Sequence, residues 1–203
     1  MKLLKILFIV ISILIFNNCA TCQNKMSFNE LDYTQNLKII KRAEWGSVPI
    51  DEPFKTHEIK YITIHHGGVE FYDQEHAAEH VKNLQNWSRK EKNWIDIPYH
   101  FMIDLEGNIY EARPINIPGD TNTEYDPTNH ALIEIMGNYE IQELSDAQLK
   151  SMIDLTKYLM DSFKVPIEKV KTHKDYSAIT VCPGKNIYKY FEDGSIYTKL
   201  GNE

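Results

Sequence analysis

The chain has 203 residues, with 22 Lys and Arg against 29 Asp and Glu, and a net charge of −7. An acidic balance argues against nucleic-acid binding, which needs a basic face to neutralise phosphates. Three cysteines, two of them near the start of the chain, do not make the even, closely spaced set of a small disulfide scaffold.

The first 22 residues read as a leader. MKLLK supplies two lysines, and Ile6 to Phe16 (ILFIVISILIF) form an apolar segment of 11 residues. A membrane span needs about 20 such residues, so this length suits a signal-peptide core. NNCATC follows. Cleavage before Cys19 would leave an acylated lipoprotein anchored to a membrane. Cleavage near Ala20 or Cys22 would leave a free exported protein. The expected location is the periplasm, the outer membrane as a lipoprotein, or the exterior. Residues 23–38 are polar and read as a tether, and 39–203 as one domain.

Lys60 to His66 (KYITIHH) is rich in β-branched residues and predicts a strand. Between Gln74 and Lys90, Ala77, Ala78, Val81, Leu84 and Trp87 recur every three to four residues, the period of an amphipathic helix. Tyr99 to Arg113 alternates about Glu106-Gly107-Asn108 and predicts a hairpin. His130 to Glu140 predicts a strand that ends in a turn. Ser145 and Gln148 form a capping box for a helix over Asp146 to Phe163, with Leu149, Met152, Ile153, Leu155 and Leu159 inward. Val165 to Lys171 reads as a short strand and Asn186 to Phe191 as a last helix. The order β-α-β-β-β-α-β-α predicts an α/β domain, a mixed central sheet flanked by helices.

Neighbouring residues on a strand face opposite ways, so His65 and His66 cannot easily share one ligand. Far along the chain, His173 precedes Cys182 by nine residues in THKDYSAITVCPG. Imidazole and thiolate suit zinc, and one histidine of the pair with His173 and Cys182 would make a three-ligand site. Three protein ligands leave a fourth position open, which is the catalytic arrangement. Glu134 shares a strand face with Leu132 and Met136. A carboxylate among apolar neighbours is costly to bury without a partner.

KRAEWG, ITIHHGG, WIDIPYHFMIDLEGNIYEAR, MGNY and HKDYSAITVCPG follow one another in this order. Together they resemble the zinc N-acetylmuramoyl-L-alanine amidases of the phage-lysozyme and peptidoglycan-recognition-protein family (amidase type 2), over about Lys41 to Tyr188. The resemblance implies the family's mixed sheet with flanking helices. It implies Zn²⁺ held by His65, His173 and Cys182, with Tyr99 as the site tyrosine. Thr180 takes the place of a lysine or threonine near the scissile carbonyl. Glu134 matches a glutamate that resembles the general base of the anhydro-muropeptide branch, although that branch usually has aspartate as third ligand. The implied activity is hydrolysis of the amide between N-acetylmuramic acid and L-alanine, with peptidoglycan or muropeptides as partner. Some features depart from the pattern: nine residues rather than eight between His173 and Cys182, Pro118 to Thr121 in place of Gly-Ala-His, and Pro114-Ile115 in place of Gly-Trp. These bear on peptide specificity rather than on zinc.

Two other readings compete. A binding module of the same fold would recognise peptidoglycan without cutting it, and usually lacks the cysteine. His76-Ala77-Ala78-Glu79-His80 fits the inverted zinc-peptidase motif, but a polar helix surface accounts for it. His57 and His130 have no evident partner, and His100 is expected to pack. Phe71, Tyr72, Trp87 and Trp94 are expected in the core or at a groove rim.

Overall fold

The computed structural model describes residues 31–33 and 37–201. The leader expected over 1–22 lies outside the described residues, as does most of the tether. Among the described residues, no helix is long and apolar enough to cross a membrane.

Six strands form one sheet: β1 (Ile39–Ile40), β2 (Tyr61–His66), β3 (Phe101–Ile103), β4 (Ile109–Glu111), β5 (His130–Ile135) and β6 (Val170–Thr172). Their spatial order is β1-β4-β3-β5-β2-β6. The β3–β4 hairpin is antiparallel and every other pairing is parallel. Among the described residues four α-helices accompany it: α1 (Ala77–Glu91), α2 (Asp146–Phe163), α3 (Lys185–Glu192) and α4 (Ser195–Gly201). The expected mixed sheet with flanking helices is therefore the architecture observed.

The central strands are buried along almost their whole length, as parallel strands covered on both faces must be. Alternation divides them. Ile62, Ile64, Ile133 and Ile135 join Met152, Leu155 and Leu159 of α2 in one core. The opposite face packs Met102 and Tyr110 against Val81 of α1, Trp45 and Ile97. Thr63, His65, Leu132 and Glu134 alternate with the isoleucines, and so lie on this second face.

α2 begins as expected. Ser145 accepts from the Gln148 amide, and the Gln148 side chain returns the bond to the Ser145 backbone. Lys164 ends the helix in the left-handed conformation. α1 differs from its expected register. Gln74–His76 form a separate 3-10 turn, and the buried stripe is Ala77, Val81, Gln85 and Ser88. Trp87 is exposed and Leu84 half-buried. Gln85 takes the inward place because its side chain is fully bonded: it donates to Asp96 Oδ1 and Val48 O and accepts from Val48 N.

Other boundaries move for local reasons. The strand expected from Val165 starts at Val170, because Pro166 leads into a 3-10 turn. The strand from His130 stops at Ile135, and Gly137 turns the chain at φ +135°. Two short elements, β1 and α4, lie outside the expected set. The tether expected to reach residue 38 is shorter, since Leu31, Tyr33 and Leu37 pack on the core beside α2, with Tyr33 and Tyr158 rings 5.4 Å apart.

The segment after β4 is pinned by Arg113, one of the largest fully buried side chains. Its guanidinium donates to Ile97 O (2.6 Å), Asp96 O (2.8 Å), Pro118 O and the Asp120 carboxylate. Gly119 sits under the same loop. A Cβ there would stand 2.4 Å from Leu132 Cδ1 and 2.5 Å from Pro98 O. Gly119→Ala should therefore cost about 1–3 kcal/mol, the usual scale for overpacking, seen as a lower urea midpoint with an unchanged m-value.

Candidate metal centre and groove

β2 and β5 run side by side, with His65 level with Glu134. Both side chains reach the carboxyl end of the sheet on the α1 face. The chain crossing behind them brings in His173, at the start of a 3-10 turn directly after β6, and Cys182. Donor atoms of His65, His173 and Cys182 all lie within 4.8 Å of one another, and all three residues are buried. Cys182 Sγ is 3.6 Å from His65 Nδ1. Among the described residues this is the only group of three or more His, Cys, Asp or Glu able to hold an ion.

The group opens into a cavity of about 340 Å³ whose wall includes Glu134, Tyr99, Thr180, Leu84, Trp87 and Trp94. The six residues singled out in the sequence thus converge on one place. Tyr99 stands with its ring 5.2 Å from that of His65. Thr180 Oγ1 accepts from the Cys182 amide (3.1 Å), which turns the loop at the cysteine and leaves the hydroxyl proton uncommitted.

Burial governs the charge state of every group here. It drives His65 well below the ordinary histidine range, helped by the neighbouring histidines. It lowers His173 to about 4 against an opposing pull from Glu124. Both imidazoles are therefore neutral at pH 7 and keep a lone pair for a cation. Burial raises the Cys182 thiol to about 12, and a bound cation would reverse that, because a coordinating thiol is deprotonated outright. Glu134 rises to about 8 for the same reason. Its Oε2 has no hydrogen-bond partner, and Gly67 leaves the space beside Oε1: a Cβ there would stand 2.6 Å away.

His66 takes a different part. Its ring also borders the cavity, but its Nδ1 accepts from Tyr139 N (3.1 Å) and its backbone N–H donates to Cys182 Sγ (3.4 Å). It ties the end of β2 to the turn after β5. His76 is paired with Asp73 (2.9 Å) on the exposed surface, and the His80 ring packs on Phe71 at 4.8 Å, so among the described residues the inverted peptidase motif gathers no third ligand. His100 packs as expected, bonded to Ile117 O and Leu132 N. His57 binds Ile115 O and Asn129 N, and His130 binds Thr63 (2.8 Å). Thr121 and Thr123 also reach the site, bonded to His173. Thr121 ends the unusual PGDT segment; nothing in the sequence marked Thr123.

The α/β domain thus carries a His-His-Cys cluster near the carboxyl ends of its parallel strands, open to a groove. The chain belongs to the N-acetylmuramoyl-L-alanine amidase family, Amidase_2, whose model matches residues 55–185. Peptidoglycan recognition protein 1 of Mus musculus is 28% identical over 163 residues, covering 78% of this chain and 88% of that protein. Among solved structures, an endolysin N-acetylmuramoyl-L-alanine amidase from Clostridium intestinale aligns with a TM-score of 0.61 and 26% identity, over 82% of this chain and 97% of that one. The human recognition protein PGRP-IβC, solved with glycosamyl muramyl pentapeptide, has a TM-score of 0.67 at 24% identity, over 76% and 94%.

His66→Ala should leave the Tyr139 amide buried without an acceptor. The expected loss is about 1–3 kcal/mol of stability, measured by chemical denaturation of metal-free protein.

Proposed function

We propose that this chain is a zinc hydrolase that cleaves the amide between N-acetylmuramic acid and L-alanine in peptidoglycan or its fragments. The observation that carries the reading is the buried convergence of His65, His173 and Cys182 at the mouth of an open groove. Zinc–nitrogen and zinc–sulfur bonds run about 2.0–2.1 and about 2.3 Å, so tetrahedral N and S donors stand about 3.6 Å apart. The 3.6 Å between His65 Nδ1 and Cys182 Sγ fits that spacing. Two neutral imidazoles and one thiol are a donor set suited to zinc, and three ligands leave a fourth position for chemistry.

Bound zinc supplies Lewis acidity, which polarises a carbonyl and makes water more acidic. The chain's own residues do the rest. Glu134 offers a carboxyl with a bare Oε2 and no competing donor, so it can take a proton from the attacking water and pass it to the leaving amine. A cation among the neighbouring ligands favours its ionised form. Burial raises Tyr99 well above the ordinary tyrosine range, so its hydroxyl keeps its proton and can donate to a developing oxyanion. Thr180 has its oxygen committed to the Cys182 amide and its proton free for the same carbonyl oxygen. Leu84, Trp87 and Trp94 give the groove an apolar wall for the rest of the substrate.

A recognition module that binds muropeptides without cutting them is the second reading, favoured by the names of the relatives. The presence of Cys182 beside both histidines supports hydrolysis. Purified protein should hold about one zinc per chain and release L-alanine-terminated stem peptide from muropeptides, read by mass spectrometry of the digest. Cys182→Ser should lose that hydrolysis while keeping its fold. Glu134→Gln should keep zinc and fold while kcat falls about 10²–10⁴-fold. Zinc-free protein that still hydrolyses, or wild type that binds muropeptide and never cuts it, would sink this reading.

In the same reading residues 39–203, with Leu31, Tyr33 and Leu37 packed onto their core, form the catalytic unit and 1–22 direct export, with acylation at Cys19 as the anchor. Intact mass of the protein purified from membranes should carry the added mass of the acyl chains. A free form beginning after Ala20 or Cys22 would leave export without an anchor.

A further inference from the structure

His173 is held from behind. Its Nε2 lies 2.8 Å from Thr123 Oγ1 and 3.4 Å from Thr121 Oγ1. The two hydroxyl oxygens are 3.0 Å apart, and the Thr123 backbone N–H donates to Thr121 Oγ1 (3.2 Å). A backbone amide can only donate, so Thr121 oxygen is an acceptor at that contact. Each hydroxyl has one proton and two lone pairs. Two arrangements satisfy these contacts: His173 Nε2–H donates to Thr123 Oγ1 and the Thr123 proton goes to Thr121 Oγ1, or Thr121 donates to Thr123 and Thr123 to an unprotonated Nε2; only the first leaves the Nδ1 lone pair free for an ion. In a neutral imidazole the proton on Nε2 leaves the lone pair on Nδ1.

The threonines are not free to drift. Thr121 follows directly on Asp120, whose carboxylate is gripped by the buried Arg113 guanidinium. Arg113 is itself fixed by Ile97 O and Asp96 O. On the other side the Tyr125 ring packs 5.3 Å from the His173 ring. The imidazole is thus clamped between a ring and a hydroxyl that is anchored through a charged pair.

We infer that Thr123 is a positioning residue that sets the tautomer and ring orientation of His173, so that Nδ1 faces the ion, and that Arg113 and Asp120 set Thr123. The inference rests on the reading of His173 as a zinc ligand. The partner that a ligating imidazole donates to is commonly worth 10–100-fold in metal affinity. Thr123→Val keeps the shape of the side chain and removes only its hydrogen bonding, whereas Thr123→Ser keeps the hydroxyl.

The experiment measures zinc dissociation constants by chelator competition for wild type, Thr123→Val and Thr123→Ser, with ring ¹⁵N shifts of His173 in the zinc-free proteins. Thr123→Val should bind zinc about 10–100-fold more weakly and Thr123→Ser within about threefold of wild type. The wild-type ¹⁵N pattern should be that of the Nε2–H tautomer, and Thr123→Val should lose that preference. If Thr123→Val does not fold, Thr121→Val removes the next acceptor in the same chain and should weaken zinc in the same direction. Equal zinc affinity in wild type and the valine variant overturns the inference and leaves the zinc reading standing. Wild type that binds no zinc overturns the zinc reading instead, while the ¹⁵N pattern still reports whether Thr123 selects the tautomer.

Discussion

The parallel pairing of β2 with β5 is the constraint on which the rest depends. It sets His65 level with Glu134 and forces both onto the face away from α2, because the isoleucines beside them fill the α2 core. Neither polar side chain can then reach bulk water by turning. What meets His65 has to be brought to the end of the sheet, and the segment from His173 to Cys182 does so, while Glu134 Oε2 is left without a partner. The whole C-terminal part of the fold can be read as packing around that requirement: β6 extends the sheet on the free side of β2 and delivers His173 at its end.

Burial at this spot has two opposite effects. It keeps imidazoles neutral and therefore able to donate lone pairs. It also keeps the thiol and the carboxyl protonated in the absence of a cation. In the proposed reading a bound divalent ion would change the second pair and leave the first alone, adding a charge that the polypeptide does not itself supply. The same logic explains why His66, one residue from His65, is not equivalent to it: its ring is spent on the Tyr139 amide, and only its backbone N–H turns to the sulfur.

Much of this was legible in the sequence because the relevant signals are local. The capping box of α2, the turn at Glu106-Gly107-Asn108 and the β-branched run into His65 each announce themselves within a few residues. The meeting of His65, His173 and Cys182 needed more, since nothing in the spacing of His65 and Cys182 says that they meet; the order of motifs pointed to it. What was not legible is long-range. The inward face of α1 could not be read, because Gln85 and Ser88 look like surface residues until Asp96 and Val48 are placed opposite Gln85. Two residues of β1 are too few for any period to show. The contact between Thr123 and His173 spans 50 positions and has no pattern of its own.

Gly67 has a consequence of a different kind. No positive φ demands glycine there, unlike Gly68 at +74°; what excludes a side chain is the Glu134 carboxyl oxygen, 2.6 Å from where a Cβ would stand. A methyl at 67 would have to turn the Glu134 carboxyl aside, so the smallness of the residue after the paired histidines sets where the acid stands at the cavity wall.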